Sequence, residues 1–245
     1  MIFKFSLLKH FGKQSLALTA LFFSLVSPGL SGGVKITSFG HSSLFIRGGG
    51  YSVLINPFKA VGCAEGLTEP NVSADVILAS SELADEGYRK SKGTFFVKPG
   101  SYLIKGLKLE GFPAYHDRFQ GRRYGPSTLW QWNQAGLNFA HLGGSAGPVR
   151  IEEKLFIGQP DVLFIAVGGG SKVYNAREAA SIVKDLNPKI VIPVQYVRGN
   201  SPSNCDQSGI QPFLDEMKGV EYKNVGKTIK VRRKNSQPML IKLMP

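Results

Sequence analysis

Short apolar runs divided by glycines, not long stretches with helical spacing, set the rhythm of the first half of this chain. Val34–Phe39, Ser43–Arg47 and Tyr51–Ile55 read as strands, separated by Gly40-His41 and Gly48-Gly49-Gly50, in a meander with tight turns. Asn56-Pro57-Phe58 closes the third strand, because proline cannot donate into a ladder. Ala74–Ala79 is almost continuously apolar, the pattern of a strand deep in a sheet. Thr94–Lys98, Tyr102–Ile104, Leu107–Phe112, Thr128–Asn133 and Leu137–His141 follow, with turns at Gly100, Gly106 and Ala135-Gly136.

The second half changes rhythm. Val162–Val167 is an apolar strand ended by Gly168-Gly169-Gly170. Asn175 and Glu178 have capping-box spacing, and Ala179, Ile182, Val183 and Leu186 then share one helical face until Pro188. Ile190–Val194 predicts a strand, Pro212–Lys218 a short helix, and Thr228–Arg232 with Met239–Leu243 a closing pair of strands. Strands first and a strand–helix alternation afterwards suit two packed sheets with helices outside.

Composition adds an address. Lys4, Lys9 and Lys13 precede the apolar run Ser15–Ser27, and Pro28-Gly29-Leu30-Ser31-Gly32 supplies a break and small residues. The run is short for a membrane span, so residues 1–31 are expected to be an export signal, with an uncleaved anchor as the alternative. Residues 32–245 are expected to form a single domain delivered to a periplasm, a lumen or the exterior. The formal charge is +13, and +10 without the three lysines of the leader. Such an excess favours anionic partners: a small molecule, a glycan or a lipid surface. Export argues against nucleic acid. The two cysteines, Cys63 and Cys205, could pair in an oxidising compartment or remain free thiols.

Seven short segments then become specific as a set: Gly40-His41-Ser42, Asn56-Pro57-Phe58, the strand into Ser80, Pro113–Asp117, His141–Gly144, Val167–Gly169 and Ile190–Tyr196. Their order and spacing resemble the metallo-β-lactamase superfamily, in particular its small stand-alone metal-dependent hydrolases, over about residues 34–245. The resemblance implies an α/β fold: an αβ/βα four-layer sandwich of two mixed sheets with helices outside and a metal site at the sheet edges.

The resemblance also implies which residues should hold metal. Functional relatives carry S-H-x-H-x-D-H where this chain has Ser80, Ser81, Glu82, Leu83, Ala84, Asp85 and Glu86. Ser81 and Leu83 thus replace first-site histidines, and Glu86 replaces a second-site histidine. The third first-site histidine is kept as His116. Gly144 stands where a bridging aspartate belongs, Gln195 where the last histidine belongs, and Asn56 for the aspartate of Asp-Pro-Phe. Catalytic zinc takes three protein ligands and one open position for the water it activates. With only Asp85 and His116 kept, zinc hydrolysis is not expected. Asp85, Glu86, His116 and Gln195 are the residual metal candidates, and their oxygens would suit a hard divalent cation better than zinc. The plainer alternative is that Glu82 and Glu86 face solvent on a short helix.

This reading implies a pseudoenzyme that holds an anionic ligand or partner in the old cleft. The alternative is a lactone, ester or phosphoester hydrolase working around His116 and Asp85. His41 is expected near the floor of the site. Arg118, Arg122 and Arg123 with Tyr124 follow the His116 loop and are expected either at its mouth, where guanidinium forks bind carboxylate or phosphate, or in a solvated loop beside buried tryptophans. In the family, the loops carrying Cys63 and Cys205 both approach the rim, where a disulfide would brace the cleft.

Overall fold

The computed structural model describes residues 32–234 and 236–245. The export segment expected over residues 1–31 lies outside the described residues. Six strands form one sheet in the order β13-β1-β2-β3-β4-β5: Thr228–Val231, Val34–Gly40, Ser43–Gly48, Tyr51–Ile55, Ser73–Leu78 and Lys92–Phe96. Eight form the second in the order β12-β14-β11-β10-β9-β8-β7-β6: Glu221–Asn224, Leu240–Leu243, Ile190–Val194, Val162–Ala166, Leu137–Leu142, Pro126–Gln134, Leu107–Tyr115 and Gly100–Ile104. Both sheets mix parallel and antiparallel pairs, as in the β3–β4 and β1–β2 pairings of the first.

One core lies between the sheets. Ile36, Ile46, Val53 and Val76 from the first meet Trp130, Phe139 and Phe164 from the second, all buried. Trp132, Phe139 and Phe164 stack through this layer, with ring centroids 5.1 and 6.0 Å apart. A second core backs the eight-stranded sheet. There Leu163, Ile165 and Val191 pack against Ala179, Ile182, Val183 and Leu186 of helix α2 (Ala176–Leu186) and Phe213 of α3 (Gln211–Glu216). The αβ/βα sandwich is therefore the fold. Its helical cover is uneven among the described residues: the small apolar cluster outside the six-stranded sheet, around Phe45, Leu54 and Ile77, contains no residue of an α-helix.

The capping box of α2 forms as the spacing predicts. Asn175 Oδ1 accepts from Glu178 N at 2.9 Å, and Glu178 Oε2 accepts from Asn175 N at 2.8 Å. One α-helix and one strand have no counterpart in the expected set. Helix α1 (Ile151–Ile157) leaves Ile151 and Leu155 exposed, so its apolar positions do not mark a buried stripe. Strand β12 is exposed at every position and is held by parallel pairing with β14. Strand β7 also continues three residues beyond its expected end, through Pro113. The last β6 partner is Gly100 opposite Gly111, so Pro113 has only β8 beside it, where proline is tolerated. That extension carries the chain to His116.

Candidate functional site

Five strand ends converge at one edge of the sandwich. β3 delivers Asn56, β4 delivers Ser80 and Ser81, β7 delivers His116, β9 delivers Gly143 and Gly144, and β11 delivers Gln195. The β1–β2 turn adds His41. His41, Asn56 and Gln195 all have positive φ, at 51°, 41° and 50°. Left-handed backbone is costly for residues with a Cβ, and it gathers where structure is held for function. Here three such residues meet at one edge.

Ser81–Gly87 is a tight turn, not a helix. Glu86 N and Gly87 N both donate to Leu83 O, at 3.0 and 2.7 Å. A Cβ on Gly87 would lie 2.3 Å from Ser81 O, so glycine is needed there. The turn drives Glu86 inward. It is fully buried, whereas Glu82 stays exposed, which corrects the expectation that both face solvent. Asn56 fixes the start of the turn: its Oδ1 accepts from Ser80 N at 2.7 Å, and its Nδ2 donates to Ser42 Oγ at 3.2 Å. Trp130 Nε1, donating to Ala79 O at 2.9 Å, ties the same exit to the opposite sheet.

Glu86 is the hub. Its Oε2 accepts from Ser81 Oγ at 2.9 Å and lies 2.9 Å from His116 Nε2; its Oε1 accepts from Gln195 Nε2 at 2.8 Å. Gln195 Oε1 in turn accepts from Gly144 N at 3.0 Å. His116 Nδ1 lies 3.1 Å from Lys172 O, so both ring nitrogens face acceptors and the imidazolium suits the site. Burial alone would push the Glu86 carboxyl up. The His116 charge, with hydrogen bonds from His116, Gln195 and Ser81, outweighs this and holds it far below the usual carboxylate range. Burial likewise pulls His116 down, and the Glu86 charge and hydrogen bond win, raising it above 6.5.

Asp85 faces the other way and meets Lys172 Nζ at 2.5 Å. His41 Nε2 lies 3.9 Å from the same carboxylate oxygen and, like His141 Nε2, has no hydrogen-bond partner among the described residues. Burial keeps both of these imidazoles neutral, lowering the pKa of His41 and taking His141 to about 4. Beside Ser81 opens a cavity of about 360 Å³ lined by Ser80, Leu83, Val97, Lys98, Tyr124 and Thr128, among others.

The profile of the β-lactamase superfamily domain matches residues 35–195, most of the chain and all five of these strand ends. The chain belongs to the metallo-β-lactamase superfamily. A UPF0173 metal-dependent hydrolase of Thermococcus kodakarensis is 24% identical over 192 residues, 66% of this chain and 84% of that protein. A crystal structure described as a zinc-dependent hydrolase of the superfamily, from Thermotoga maritima, superposes with a TM-score of 0.70 at 25% identity, covering 86% of this chain and 98% of its own. The metallo-β-lactamase fold protein YhfI of Bacillus subtilis shares the fold at a TM-score of 0.56 and 11% identity, over 86% and 96% of the two chains.

The superfamily implies a metal, and the donors of this member do not fit one as they are arranged. No group of three or more His, Cys, Asp or Glu is poised around a common point among the described residues. His116 Nε2 is spent on Glu86, Asp85 on Lys172, and Gln195 turns its amide nitrogen, not its oxygen, toward Glu86. Position 144 shows why. A Cβ built on Gly144 would sit 2.3 Å from Glu86 Oε2. The Glu86 carboxylate therefore fills the room that an aspartate side chain at 144 would need, and the two cannot coexist without rearrangement.

The arginine cluster departs from expectation. Arg118 spends its donors on Glu178, at 3.0 and 2.5 Å, and on the carbonyls of Gly170 and Val173, at 2.9 and 3.2 Å. It clamps a loop and is not offered to a ligand. Arg122 and Arg123 are exposed and absent from the cavity lining, and the Arg123 guanidinium lies 5.2 Å from the Tyr124 ring. Asp117 holds this loop by accepting from the backbone N–H of Phe119, Gly121, Arg123 and Tyr124. Tyr124 alone of the set lines the cavity. Cys63 and Cys205 form a disulfide. Two site residues, Lys98 and Lys172, went unmarked; a lysine following Gly168-Gly169-Gly170 at a strand end is a signal that points to Lys172.

Proposed function

We propose that this chain is an exported, non-catalytic member of the superfamily that binds an anion-bearing small molecule in the cavity beside the former metal edge. One observation carries the reading. Glu86 occupies the space of a side chain at 144, and both of its carboxylate oxygens are engaged by Ser81, His116 and Gln195. Such a network is self-sufficient: every partner is neutralised or hydrogen-bonded without a metal. It also withholds other chemistry. Ser81 Oγ donates to Glu86, whose depressed pKa makes it a poor base, so the pair does not make an activated nucleophile. Export is supported by the Cys63–Cys205 disulfide, a bond that persists mainly in oxidising compartments. Lys98 gives the apolar-walled cavity, which Glu82 also lines, a cation to meet the ligand's charge.

The hydrolase alternative draws on membership in a superfamily whose relatives include proteins described as metal-dependent hydrolases. It would place the work at His116 and Asp85. Elemental analysis of protein purified without chelator, run beside ester, lactone and phosphodiester assays with and without added zinc or manganese, separates the two. The proposal expects far less than one equivalent of metal and no turnover. Stoichiometric metal with turnover that His116→Ala and Asp85→Ala abolish would overturn it in favour of the hydrolase.

A further inference from the structure

The side chains gathered at this edge bring charges of their own. Two carboxylates, Asp85 and Glu86, are buried side by side in sequence. Each faces one cation: Lys172 at 2.5 Å from Asp85, and His116 at 2.9 Å from Glu86. Two buried anions next to each other would be costly without such partners. We propose that Lys172 is a resident cation, its ammonium taking at Asp85 the charge-neutralising place that a divalent metal takes in metal-binding relatives. The inference rests on the reading above only in requiring that the native edge hold no metal.

The fold is built to keep this lysine in place, which distinguishes it from a surface lysine that happens to find an acid. Its side chain is 23% exposed and that of Asp85 8%. Residues on both sides of it are pinned. Asp206 Oδ2 accepts from Ser171 N and Ser171 Oγ, both at 2.8 Å, and Tyr124 Oη lies 3.0 Å from Ser171 Oγ. Gly170 must be glycine there, because a Cβ at its φ of +76° would lie 2.5 Å from Asp206 Oδ1. Arg118 holds the carbonyls of Gly170 and Val173, and the Lys172 carbonyl is itself the acceptor opposite His116 Nδ1. Lys172 thus serves both pairs: its side chain neutralises Asp85, and its backbone helps keep His116 charged against Glu86. Asp206 adjoins Cys205, so the disulfide to Cys63 anchors the outer end of the same chain of contacts.

Removing the ammonium while keeping the stem tests the idea. Lys172→Met leaves Asp85 buried without its cation, with the unpartnered His41 Nε2 on its other side, and the oxygens then exposed favour a hard ion such as manganese. Thermal melting is followed in EDTA and in millimolar manganese chloride. The native protein should melt at the same temperature in both. Lys172→Met should melt about 5–10 °C lower in EDTA and regain at least about half of that with manganese, while Lys172→Arg should resemble the native protein. Should Lys172→Met not fold alone, it should fold when refolded with manganese, and the double variant Lys172→Met/Asp85→Asn, lacking both charges, should fold without it and ignore the metal. A loss in Lys172→Met that manganese does not repair, or no loss at all, overturns the assignment of Lys172. Metal bound by the native protein and accompanied by turnover instead overturns the reading of the site as non-catalytic.

Discussion

Replacing Glu86 with glutamine changes one oxygen to an amide nitrogen and tests the central network. In the native site three donors converge on this carboxylate: Ser81 Oγ, His116 Nε2 and Gln195 Nε2. An amide has one acceptor oxygen, so if that oxygen keeps Ser81 and His116, its NH₂ meets the NH₂ of Gln195. Turning Gln195 around relieves this clash and moves it to Gly144 N, now opposite a second donor instead of Gln195 Oε1. One buried donor is therefore left unmatched, and His116 loses its counter-charge. Breaking a buried ion pair from one side costs about 3–5 kcal/mol, and the retained acceptor argues for the lower end, about 3 kcal/mol. For a domain of this size that is a fall in Tm of about 6–12 °C. The pH dependence carries the sharper test. His116 is raised above 6.5 when folded, so its contribution is complete below about 6.5 and is lost as pH rises through the raised value. Glu86 is depressed below 4.5, so its contribution is present above about 4.5 and is lost only as pH falls through the lower folded value. The pair is strongest between these limits, at about pH 5–6. In Glu86→Gln the buried imidazole has no anion and prefers to be neutral, so the variant gains stability relative to the native protein as pH rises. Calorimetric melts from pH 5 to 9 should show the gap between the two proteins widest near pH 6 and shrinking toward pH 9. A gap that is constant, or that widens with pH, would refute the ion pair.

Gly144→Asp should destabilise by about 2–5 kcal/mol, from contact with Glu86 and from placing a Cβ at φ +68°. The double variant Gly144→Asp/Glu86→Gly should melt above Gly144→Asp alone; simple additivity in chemical denaturation would show that the two residues do not compete for space. Replacing Cys63 and Cys205 with serine opens a bridge of sequence separation 142 and should lower Tm by about 5–15 °C, with reductant producing the same shift in the native protein. An unchanged melt would mean that the bridge adds no stability.

Much of the fold was legible because β-strands write their own signature. The apolar runs at β4, β10 and β11 are buried on both faces, and the capping box and apolar stripe of α2 form as their spacing requires. Helix α1 and strand β12 were not legible. One exposes two of its apolar residues, and the other is exposed throughout and exists through its pairing with β14. At the site, the ordered motifs located Asp85, His116, Gly144 and Gln195 at one edge. They also led to Arg118 being taken for a ligand-binding residue, because its partners Glu178, Gly170 and Val173 lie more than fifty residues away along the chain.

By itself, then, the order of residues determined the sandwich, the superfamily, and which side-chain types stand at the site edge, since these depend on local periodicity and on side-chain chemistry at fixed spacings. Only the tertiary structure decided how those side chains are partnered. That Glu86 turns inward, that its carboxylate fills the space beside Gly144, and that Lys172 arrives from another strand end to meet Asp85 are facts of distance between segments remote in sequence. Burial is what gives those distances their consequence. In a solvated turn the same two acids and one lysine would be unremarkable surface charges. Removed from water, each must find its partner, and the folded chain supplies one for each.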